Sequence, residues 1–346
     1  MRSDLPMTST TDRDATALSA GLTRWLARDG TRRHVSLTGF HRPSAGYSND
    51  TVVVDATWSE DGTEHHRSLV VRMPPAGDGT FPHHDLVAEG QAATAAAAVG
   101  VPVADPVVEC DTAWIGTPFM VMSRIDGHII GPLAHRDRWL TGRGPADQRQ
   151  VYDTFLTTLA TIHRADPAAA PGVPRRDNGA ELAFWAEYLR WSSDGSPVPA
   201  LVDALSWCRS HRPATEADPV LLWGDARFEN QVIGDDLRVR AVLDWDMTSV
   251  GAPEHDLAWF TSLDLTMHHL FGERLAAFPD RAATIARFEQ ASGRAVRDLG
   301  WYETLALVRA AAVMTRIGYL RRRAGEPLMM PIESNPILDL VGSRLR

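Results

Sequence analysis

The sequence contains no lysine, so all 35 of its basic residues are arginine. This absence excludes a Walker-A loop, whose lysine contacts the phosphates, and it excludes Schiff-base and pyridoxal-phosphate chemistry, which need a lysine amine. Only 2 cysteines are present, Cys110 and Cys208, and they lie far apart in the chain. A disulfide framework, a zinc ribbon and a thioredoxin-type site are therefore excluded as well.

Positive charge and long apolar runs are also scarce. The 35 basic residues are outnumbered by 44 acidic ones, and the net charge of −9 argues against a nucleic-acid-binding surface. No stretch approaches the roughly 18 consecutive apolar residues of a membrane span. Residues 1–30 lack the cationic start and apolar core of a signal peptide. We therefore expect a cytoplasmic protein with no nucleic-acid or membrane partner.

The 346 residues are 44% hydrophobic and 23% charged, a composition typical of a folded protein with two or three domains or lobes. Before residue 125 the pattern predicts mostly strands, at 35–37, 51–58, 68–73 and 114–126. It also predicts a first helix that ends near Gly30 and a second at 85–99. From about residue 148 helices dominate, interrupted by a β island around 220–244. The predicted helices are at 151–163, 181–191, 199–209, 257–271, 281–291 and 299–323.

This change in pattern defines the predicted organisation. The fold class is α+β, with a small, mostly-β lobe at residues 1–125 and a larger, mostly-α lobe at residues 126–346. Residues 1–30 form an N-terminal extension and helix within the first lobe. We expect a nucleotide to bind in the cleft between the two lobes, because binding pockets form preferentially at such boundaries.

The segment with the clearest chemistry lies in the β island. An apolar run at 220–222 leads to a loop that contains Asp225, and Asn230 follows five residues later. Residues 232–243 then read as a tight hairpin with a turn at 234–236, which returns the chain so that Asp244 lies beside Asn230. Two hard oxygen ligands so placed suit Mg²⁺, which shares its remaining positions with phosphates and water. Such an arrangement is typical of phosphoryl-transfer enzymes.

Four motifs, in order, resemble those of the aminoglycoside phosphotransferase (APH) family, and the resemblance covers most of the chain. They are GYSN at 46–49, GTPFMVM at 116–122, WGDARFEN at 223–230 followed by LDWD at 243–246, and GAPEHDLA at 251–258. The resemblance implies a bilobal, protein-kinase-like fold and an enzyme that uses ATP, or alternatively GTP, with Mg²⁺. It implies transfer of the γ-phosphate to a hydroxyl of a small molecule.

Roles in the catalytic segment follow from the resemblance by position. Asp225 is the catalytic base, and Asn230 and Asp244 are the Mg²⁺ ligands. Asp246 either assists the metal, if the strand continues past Asp244, or only caps a turn. Arg227 either stabilises the transferring phosphate or forms a structural salt bridge to Asp244 or Glu229. Further along, Asp256 is expected to brace the catalytic loop or cap the following helix.

Nucleotide contacts follow from the resemblance in the same way. Gly46 and Ser48 let backbone N–H groups approach the phosphates. The backbone around Met122, Ser123 and Ile125 hydrogen-bonds the adenine edge.

Two positions depart from the family pattern. Trp223 replaces the usual histidine, whose architectural role an indole can fill by packing and a single N–H bond. The strand lysine that holds phosphates in kinase-like folds is absent, and Arg72 is the positional substitute, with Glu89 as its carboxylate partner. A guanidinium can bind phosphate oxygens bidentately. The alternative for Arg72 is an exposed arginine on an edge strand.

These departures motivate two alternative functions. One is a catalytically weak nucleotide-binding protein of the same fold. The other is a metal-dependent hydrolase that uses Asp225, Asp244 and Asp246 without a nucleotide. The family includes kinases for choline, homoserine, sugars, macrolides and hydroxyacyl thioesters, and the sequence does not choose among these acceptors. Trp185, Tyr188 and Trp191 fall at helical spacing, which predicts a core face or, alternatively, the lining of an acceptor pocket.

Overall fold

A computed structural model describes residues 14–43, 48–193, 195–196 and 198–345. In chain order the elements are α1 (Ala15–Leu26), β1 (Arg33–His41), β2 (Asp50–Glu60), β3 (Thr63–Met73), α2 (Leu86–Ala98), β4 (Val107–Glu109), β5 (Phe119–Ser123), α3 (Arg138–Thr141), α4 (Pro145–Ile162), α5 (Asn178–Ser192), α6 (Pro199–Ser210), β6 (Val220–Leu222), β7 (Gln231–Ile233), β8 (Val239–Val242), β9 (Ser249–Gly251), α7 (Glu254–Phe271), α8 (Arg281–Ser292), α9 (Leu299–Arg323) and α10 (Ile337–Arg344). The predicted α+β class is confirmed.

The chain forms two compact units that are each discontinuous in sequence. The N-unit contains the described residues up to Leu86 together with Asp105–Arg124 and Leu320–Pro327. The C-unit contains Val87–Ala104, Ile125–Tyr319 and the described residues from Leu328 onward. The boundary predicted at residue 125 divides the chain once along its sequence. The two units instead group residues from separate parts of the chain that pack together. Most of α2 therefore belongs with the later helices.

The N-unit is a five-stranded antiparallel sheet with strand order β1-β2-β3-β5-β4. Asp61 and Gly62 form the two-residue turn between β2 and β3, and their positive φ angles of 50° and 76° suit a tight hairpin. Helix α1 packs its apolar face on the sheet. Its buried apolar side chains are Leu18, Leu22, Trp25 and Leu26.

The strand predicted at 114–126 is shorter in the structure. Only Phe119–Ser123 is extended, and residues 112–116 form a turn in which the Gly116 N–H donates to the Thr112 carbonyl at 2.7 Å. Pro118 has no N–H to donate to a sheet ladder, which limits the strand on that side. The turn lies against α1, because a Cβ on Gly21 would overlap the Trp114 carbonyl oxygen.

The C-unit is helical around two small antiparallel strand pairs, β6-β9 and β7-β8. The helices predicted from 148 onward are all present, and their ends lie within three residues of the predictions except at the start of α4, which begins six residues earlier, at Pro145. An aromatic cluster anchors the segment between β6 and β7 to α4 and α7. It consists of Tyr152, Phe155, Phe228, Phe260 and Phe278. Within the described residues, no helix combines the length and apolarity needed to cross a membrane.

Candidate active site

A glycine turns the chain at the end of β6, where the candidate catalytic loop, residues 223–230, begins. All three residues of β6 are buried, so the strand fixes the start of the loop in the core. Gly224 has a φ of 90°, and a Cβ at this position would overlap the Met247 carbonyl oxygen. Only glycine satisfies both the backbone angle and the close approach. The turn leads directly into Asp225.

The backbone of this turn is held by a buried carboxylate on α7. Asp256 Oδ2 accepts from the Trp223 N–H at 2.8 Å, and Asp256 Oδ1 accepts from the Gly224 N–H at 2.8 Å. His163 Nε2 lies 2.9 Å from Asp256 Oδ2. The expectation that Asp256 braces the catalytic loop is confirmed by these contacts.

Trp223 connects the loop to the hairpin. Its side chain is fully buried, and its indole Nε1 donates to the Leu243 carbonyl at 2.8 Å. Leu243 immediately precedes Asp244. The single N–H bond predicted for an indole at this position is therefore confirmed, and the bond ties the catalytic loop to the segment that holds Asp244.

The Asp225 carboxylate is buried and held at both oxygens. Its Oδ1 accepts from the Trp259 indole Nε1 at 2.7 Å, and its Oδ2 accepts from Asn230 Nδ2 at 2.7 Å. Asn230 Nδ2 also donates to the Asp225 carbonyl at 3.0 Å. A carboxylate offers about four lone-pair positions, so these bonds fix its orientation and leave acceptor capacity.

Arg227 pairs with the candidate base itself. Its Nε lies 2.9 Å from Asp225 Oδ2, and its Nη1 lies 3.6 Å from Glu229 Oε1. Burial opposes the guanidinium charge, but Asp225, Glu229 and Asp244 outweigh it and raise the pKa of Arg227. Burial also raises the pKa of Glu229, against the lowering effect of Arg227. The sequence raised the salt bridge to Glu229 as an alternative but did not anticipate the pair with Asp225.

The hairpin returns the chain to Asn230, as predicted. Gln231 pairs with Val242, and the Leu243 N–H donates to the Asn230 carbonyl at 2.8 Å. Asp244 comes next and has a φ of 59°, a left-handed conformation that is uncommon for residues other than glycine. Unusual backbone of this kind is often found at functional sites.

Asp246 is not positioned by strand alternation. Strand β8 ends at Val242, and Asp246 lies in a turn in which the Thr248 N–H donates to the Trp245 carbonyl at 3.0 Å. The argument that Asp246 shares a strand face with Asp244 therefore does not apply. Its participation in metal binding stays a prediction.

The donor chemistry at Asn230 and Asp244 fits Mg²⁺. Because the Asn230 amide nitrogen donates to Asp225, the amide oxygen is the atom of that side chain that can bind a cation. Together with the half-buried Asp244 carboxylate it gives a small set of hard oxygen donors, which Mg²⁺ prefers. Among the described residues no group of three or more His, Cys, Asp or Glu side chains is placed to hold a metal.

Residues 39–305 match the family model of APH, the phosphotransferase enzyme family. The chain belongs to the APH phosphotransferase family.

Among curated relatives of this APH-family chain are two acyl-CoA dehydrogenase family proteins. The human "Acyl-CoA dehydrogenase family member 11" is 28% identical over 254 residues, which are 72% of this chain and 31% of that protein. The mouse "Acyl-CoA dehydrogenase family member 10" is 29% identical over 204 residues, which are 56% of this chain and 18% of that protein. The chain thus spans about a third or less of the length of these relatives.

Solved structures share the APH fold over almost the whole chain. A protein from Ralstonia eutropha assigned as an aminoglycoside phosphotransferase has a TM-score of 0.68 at 22% identity, covering 94% of this chain and 95% of that one. Macrolide 2′-phosphotransferase MphH from Brachybacterium faecium has a TM-score of 0.54 at 18% identity, covering 94% and 97%. Choline kinase LicA from Streptococcus pneumoniae has a TM-score of 0.56 at 11% identity, also covering 94% and 97%. The predicted kinase-like fold is confirmed.

A buried arginine behind the APH catalytic loop was not identified from the sequence. Arg309 Nη2 donates to the Gly224 carbonyl at 3.3 Å, and its guanidinium lies 4.7 Å from the Trp259 ring centroid. Glu181 Oε1 lies 3.9 Å from Arg309 Nη1. The available signal was a lone arginine within the apolar stretch at 305–312, where an unpaired charge would be costly to bury.

The ionisation of this buried cluster is strongly perturbed. Burial opposes the charge of Glu181, but Arg176 and Arg309 outweigh it and lower its pKa to about 2. His255 Nε2 lies 2.9 Å from Asn178 Oδ1, and burial lowers the pKa of His255 to about 4. The imidazole is therefore neutral near pH 7.

The aromatic residues at helical spacing on α5 form part of the core. Trp185 and Tyr188 are buried, and the Trp185 indole donates to Glu181 at 2.8 Å. This arrangement agrees with the predicted core face.

The N-unit holds several of the candidate nucleotide contacts. Arg72 lies half-buried on β3, paired with Thr51 on β2 and Met120 on β5. The alternative of an edge-strand arginine is therefore wrong, because β3 is an interior strand. Phosphate contact by Arg72 stays a prediction, as does its pairing with the buried Glu89 of α2.

The backbone predicted to contact adenine lies at the end of β5. Met122 and Ser123 pair with Val70 and Leu69 of β3, whereas β4 pairs only with the preceding residues 119–121. Ile125 follows the strand and is half-buried.

The predicted phosphate-side loop is only partly described. Ser48 lies in a bend before β2, with Asn49 Nδ2 3.5 Å from its Oγ. Gly46 lies outside the described residues. The phosphate-side roles of both residues stay predictions.

Proposed function

We propose that the protein is an ATP- and Mg²⁺-dependent kinase that transfers the γ-phosphate of ATP to a hydroxyl group of a small molecule. The observation that carries the proposal is the arrangement around Asp225. The carboxylate is held by Trp259 and Asn230, and the hairpin brings Leu243, and with it Asp244, back to Asn230.

In this proposal two residues hold the metal and a third handles the proton. Asn230 and Asp244 would bind Mg²⁺, which supplies neutralising charge to the nucleotide phosphates. Asp225 orients the acceptor hydroxyl and accepts its proton as the oxygen attacks the γ-phosphorus atom. Burial and two N–H donors keep the carboxylate in one orientation, which favours this role.

The remaining nucleotide contacts come from the candidate residues already named. Backbone groups at Met122, Ser123 and Ile125 would contact the adenine, since β4 leaves this end of β5 without a second strand partner among the described residues. Arg72 would bind phosphate oxygens in place of a lysine. Arg227 would add positive charge near the transferring group, because its guanidinium lies at Asp225 and is held in its charged form.

The comparisons suggest which acceptors to test. Proteins similar to this chain include acyl-CoA dehydrogenase family members, a macrolide phosphotransferase and a choline kinase. We therefore propose a panel of hydroxyacyl-CoA thioesters, macrolides, choline and aminoglycosides. ADP release is measured with ATP and with GTP, in the presence and absence of Mg²⁺.

The test of the proposed role is Asp225→Asn on the acceptor found by this panel. Asparagine keeps the shape of the side chain but cannot take the hydroxyl proton, so transfer should fall about 10²–10⁴-fold while the affinity for ATP stays nearly unchanged. The matched control is Asp218→Asn, an exposed aspartate seven residues earlier, which should retain the wild-type rate. Near wild-type transfer in Asp225→Asn would contradict the assignment.

Two outcomes correspond to the alternative functions. Nucleotide binding without ADP release on any acceptor would favour a weak nucleotide-binding protein. Mg²⁺-dependent hydrolysis without nucleotide-dependent thermal stabilisation would favour a hydrolase.

A further inference from the structure

Arg309 is a buried arginine of α9 that contacts the candidate catalytic loop within the C-unit. The residue is 3% exposed, and burial lowers the pKa of its guanidinium against the raising effects of Glu181, Asp256 and Asp225. A buried charge is costly unless it is paired and hydrogen-bonded. The contacts of Arg309 therefore indicate what this charge is placed to do.

Neutralising Glu181 does not account for Arg309. Glu181 Oε2 lies 2.6 Å from Arg176 Nε, and Glu181 Oε1 accepts from the Trp185 indole at 2.8 Å. Arg309 Nη1 lies 3.9 Å from the same Oε1, a distance too long for a hydrogen bond. Glu181 thus has a closer cation of its own, and its charge does not require a second one.

Two further contacts connect Arg309 to the surroundings of Asp225. Arg309 Nη2 donates to the Gly224 carbonyl at 3.3 Å, and the guanidinium lies 4.7 Å from the Trp259 ring centroid. The indole Nε1 of that ring donates to Asp225 Oδ1 at 2.7 Å. One guanidinium therefore contacts both the backbone that precedes Asp225 and the ring whose N–H holds the Asp225 carboxylate.

A guanidinium group suits this pair of contacts. It is planar with N–H donors in fixed directions, so it can donate a hydrogen bond and also pack on an aromatic ring. The Trp185 ring centroid lies 5.1 Å from the same group, which confines it further. Arg309 Nε has no hydrogen-bond partner among the described residues. The group is thus placed for its contacts with Gly224 and Trp259, and not to use all of its donors.

We propose that Arg309 is a positioning residue for Asp225. Its guanidinium is anchored to the candidate catalytic loop at the Gly224 carbonyl and holds the Trp259 indole in register with that loop. The indole N–H then meets Asp225 Oδ1 in a fixed direction. The kinetic part of the proposal rests on the proposed kinase function, whereas the structural part, the dependence of the Trp259–Asp225 hydrogen bond on Arg309, does not.

Hydrogen exchange of indole N–H groups tests the structural part without an acceptor. Arg309→Met keeps an unbranched side chain but removes the charge and the N–H donors. NMR spectra record the exchange rates, and the Trp259 resonance is assigned by its loss in Trp259→Phe. The reference is the Trp301 indole, which donates to the Cys208 carbonyl at 2.8 Å elsewhere in the C-unit. In Arg309→Met the ratio of the Trp259 rate to the Trp301 rate should rise about 10-fold, because local loosening affects only the first.

Kinetics on the identified acceptor test the functional part. Arg309→Met should lower kcat about 10-fold and leave the KM for ATP unchanged, because the substitution acts on Asp225 and not on the metal ligands. In a Trp259→Phe background the hydrogen bond is already absent, so the same substitution should lower kcat less than about 3-fold. A role in folding alone would not produce this difference between kcat and KM.

Two variants separate positioning from the cost of changing a buried ion pair. Arg176→Gln removes the closer cation of Glu181, but within the described residues Arg176 makes no hydrogen bond to the candidate catalytic loop or to Trp259. It should keep the wild-type kcat and exchange ratio even where stability falls. Glu181→Gln/Arg309→Met removes both buried charges and should lose as much kcat as Arg309→Met.

Three results would overturn the proposal. An unchanged exchange ratio in Arg309→Met would show that the Trp259–Asp225 bond does not depend on the guanidinium. Equal effects of Arg176→Gln would assign them to ion pairing around Glu181, as would recovery of the wild-type kcat in the double variant. Failure of the kinase function is a different result, since the wild type then releases no ADP with any acceptor, and the exchange ratio still decides the structural part.

Discussion

The indole nitrogen of Trp259 lies 2.7 Å from Asp225 Oδ1 and donates a hydrogen bond to it. The other carboxylate oxygen accepts from Asn230 at 2.7 Å. The Trp259 ring also packs against the Arg309 guanidinium, which in turn donates to the Gly224 carbonyl. Trp259 of α7 therefore orients the Asp225 carboxylate. The buried Arg309 of α9 supports the Trp259 ring and the loop backbone at Gly224.

Replacing Trp259 by phenylalanine removes this donor and keeps an aromatic ring. A hydrogen bond to a charged group contributes roughly 1.5–3 kcal/mol, so kcat should fall about 10-fold or more. The KM for ATP should stay unchanged, because the effect is on Asp225 and not on the metal ligands. Steady-state kinetics with the identified acceptor measure both constants.

The matched control for this variant is Trp301→Phe. Trp301 is also buried and donates its indole N–H, at 2.8 Å, to the Cys208 carbonyl elsewhere in the C-unit. The Trp301→Phe variant should have a lower free energy of unfolding without a selective decrease in kcat. Equal kinetic effects in the two variants would argue that Trp259 acts only on the fold.

Removing the Asp244 carboxylate should abolish productive metal binding and leave the fold intact. The residue is half-buried and follows β8, so truncation to alanine opens no large cavity in the core. The left-handed φ of 59° adds backbone strain in alanine, which we expect to cost about 1 kcal/mol. Nucleotide affinity is titrated with and without Mg²⁺, and circular dichroism reports the fold. If the nucleotide affinity of Asp244→Ala still rises with Mg²⁺ as in the wild type, Asp244 is not a metal ligand.

Neutralising Asp256 should destabilise the C-unit strongly. Asparagine has one acceptor oxygen, whereas Asp256 accepts from three N–H donors on Trp223, Gly224 and His163. Each buried donor left unsatisfied costs about 1–3 kcal/mol, so the free energy of unfolding should fall by about 3 kcal/mol. Chemical denaturation of Asp256→Asn measures this loss.

The control for Asp256→Asn is Asp339→Asn. Both aspartates are the third residue of a helix, but Asp339 of α10 is exposed. Its replacement should change the free energy of unfolding by no more than about 0.5 kcal/mol. A comparable loss in both variants would indicate a helix-terminus effect instead of a brace.

Stability should fall on acidification because His255 is buried in its neutral form. Its pKa is lowered from 6.5 to about 4 by burial, which outweighs the attraction of Glu181 and Asp256. Between these two values the unfolded chain binds the proton and the folded chain does not, so stability is lost as the pH falls from about 6.5 to about 4. The loss amounts to up to about 3 kcal/mol. Glu181, whose pKa is lowered to about 2, adds a further loss only below about pH 4.5.

Denaturation curves of His255→Gln across this pH range test the assignment. Glutamine can still donate to Asn178 but does not titrate, so the dependence between about pH 6.5 and 4 should flatten. His211→Gln, at an exposed histidine that follows α6, should keep the wild-type slope. If His255→Gln keeps the full wild-type slope, groups other than His255 control the pH dependence of stability.

Local pattern predicts the elements well where one face of an element is apolar. Helix α1 follows from the helical spacing of its apolar residues, and β2 and β3 follow from their β-branched residues between turn residues. The segment at 114–126 shows the limit, since its apolar residues continue through a turn where Gly116 and Pro118 interrupt the strand. Asp246 shows the same limit, because alternation holds only while the backbone stays extended.

The sequence by itself determined the family, the α+β class and the catalytic segment, because motif spacing and side-chain periodicity are local properties of the chain. Only the tertiary structure decided how that segment is held. The Asp256 carboxylate is 93 residues from His163 in sequence, and the Arg309 guanidinium is 85 residues from the Gly224 carbonyl. Such contacts arise from the packing of α4, α7 and α9 around the loop. Hydrogen bonds between distant elements depend on register and burial, which no local pattern encodes.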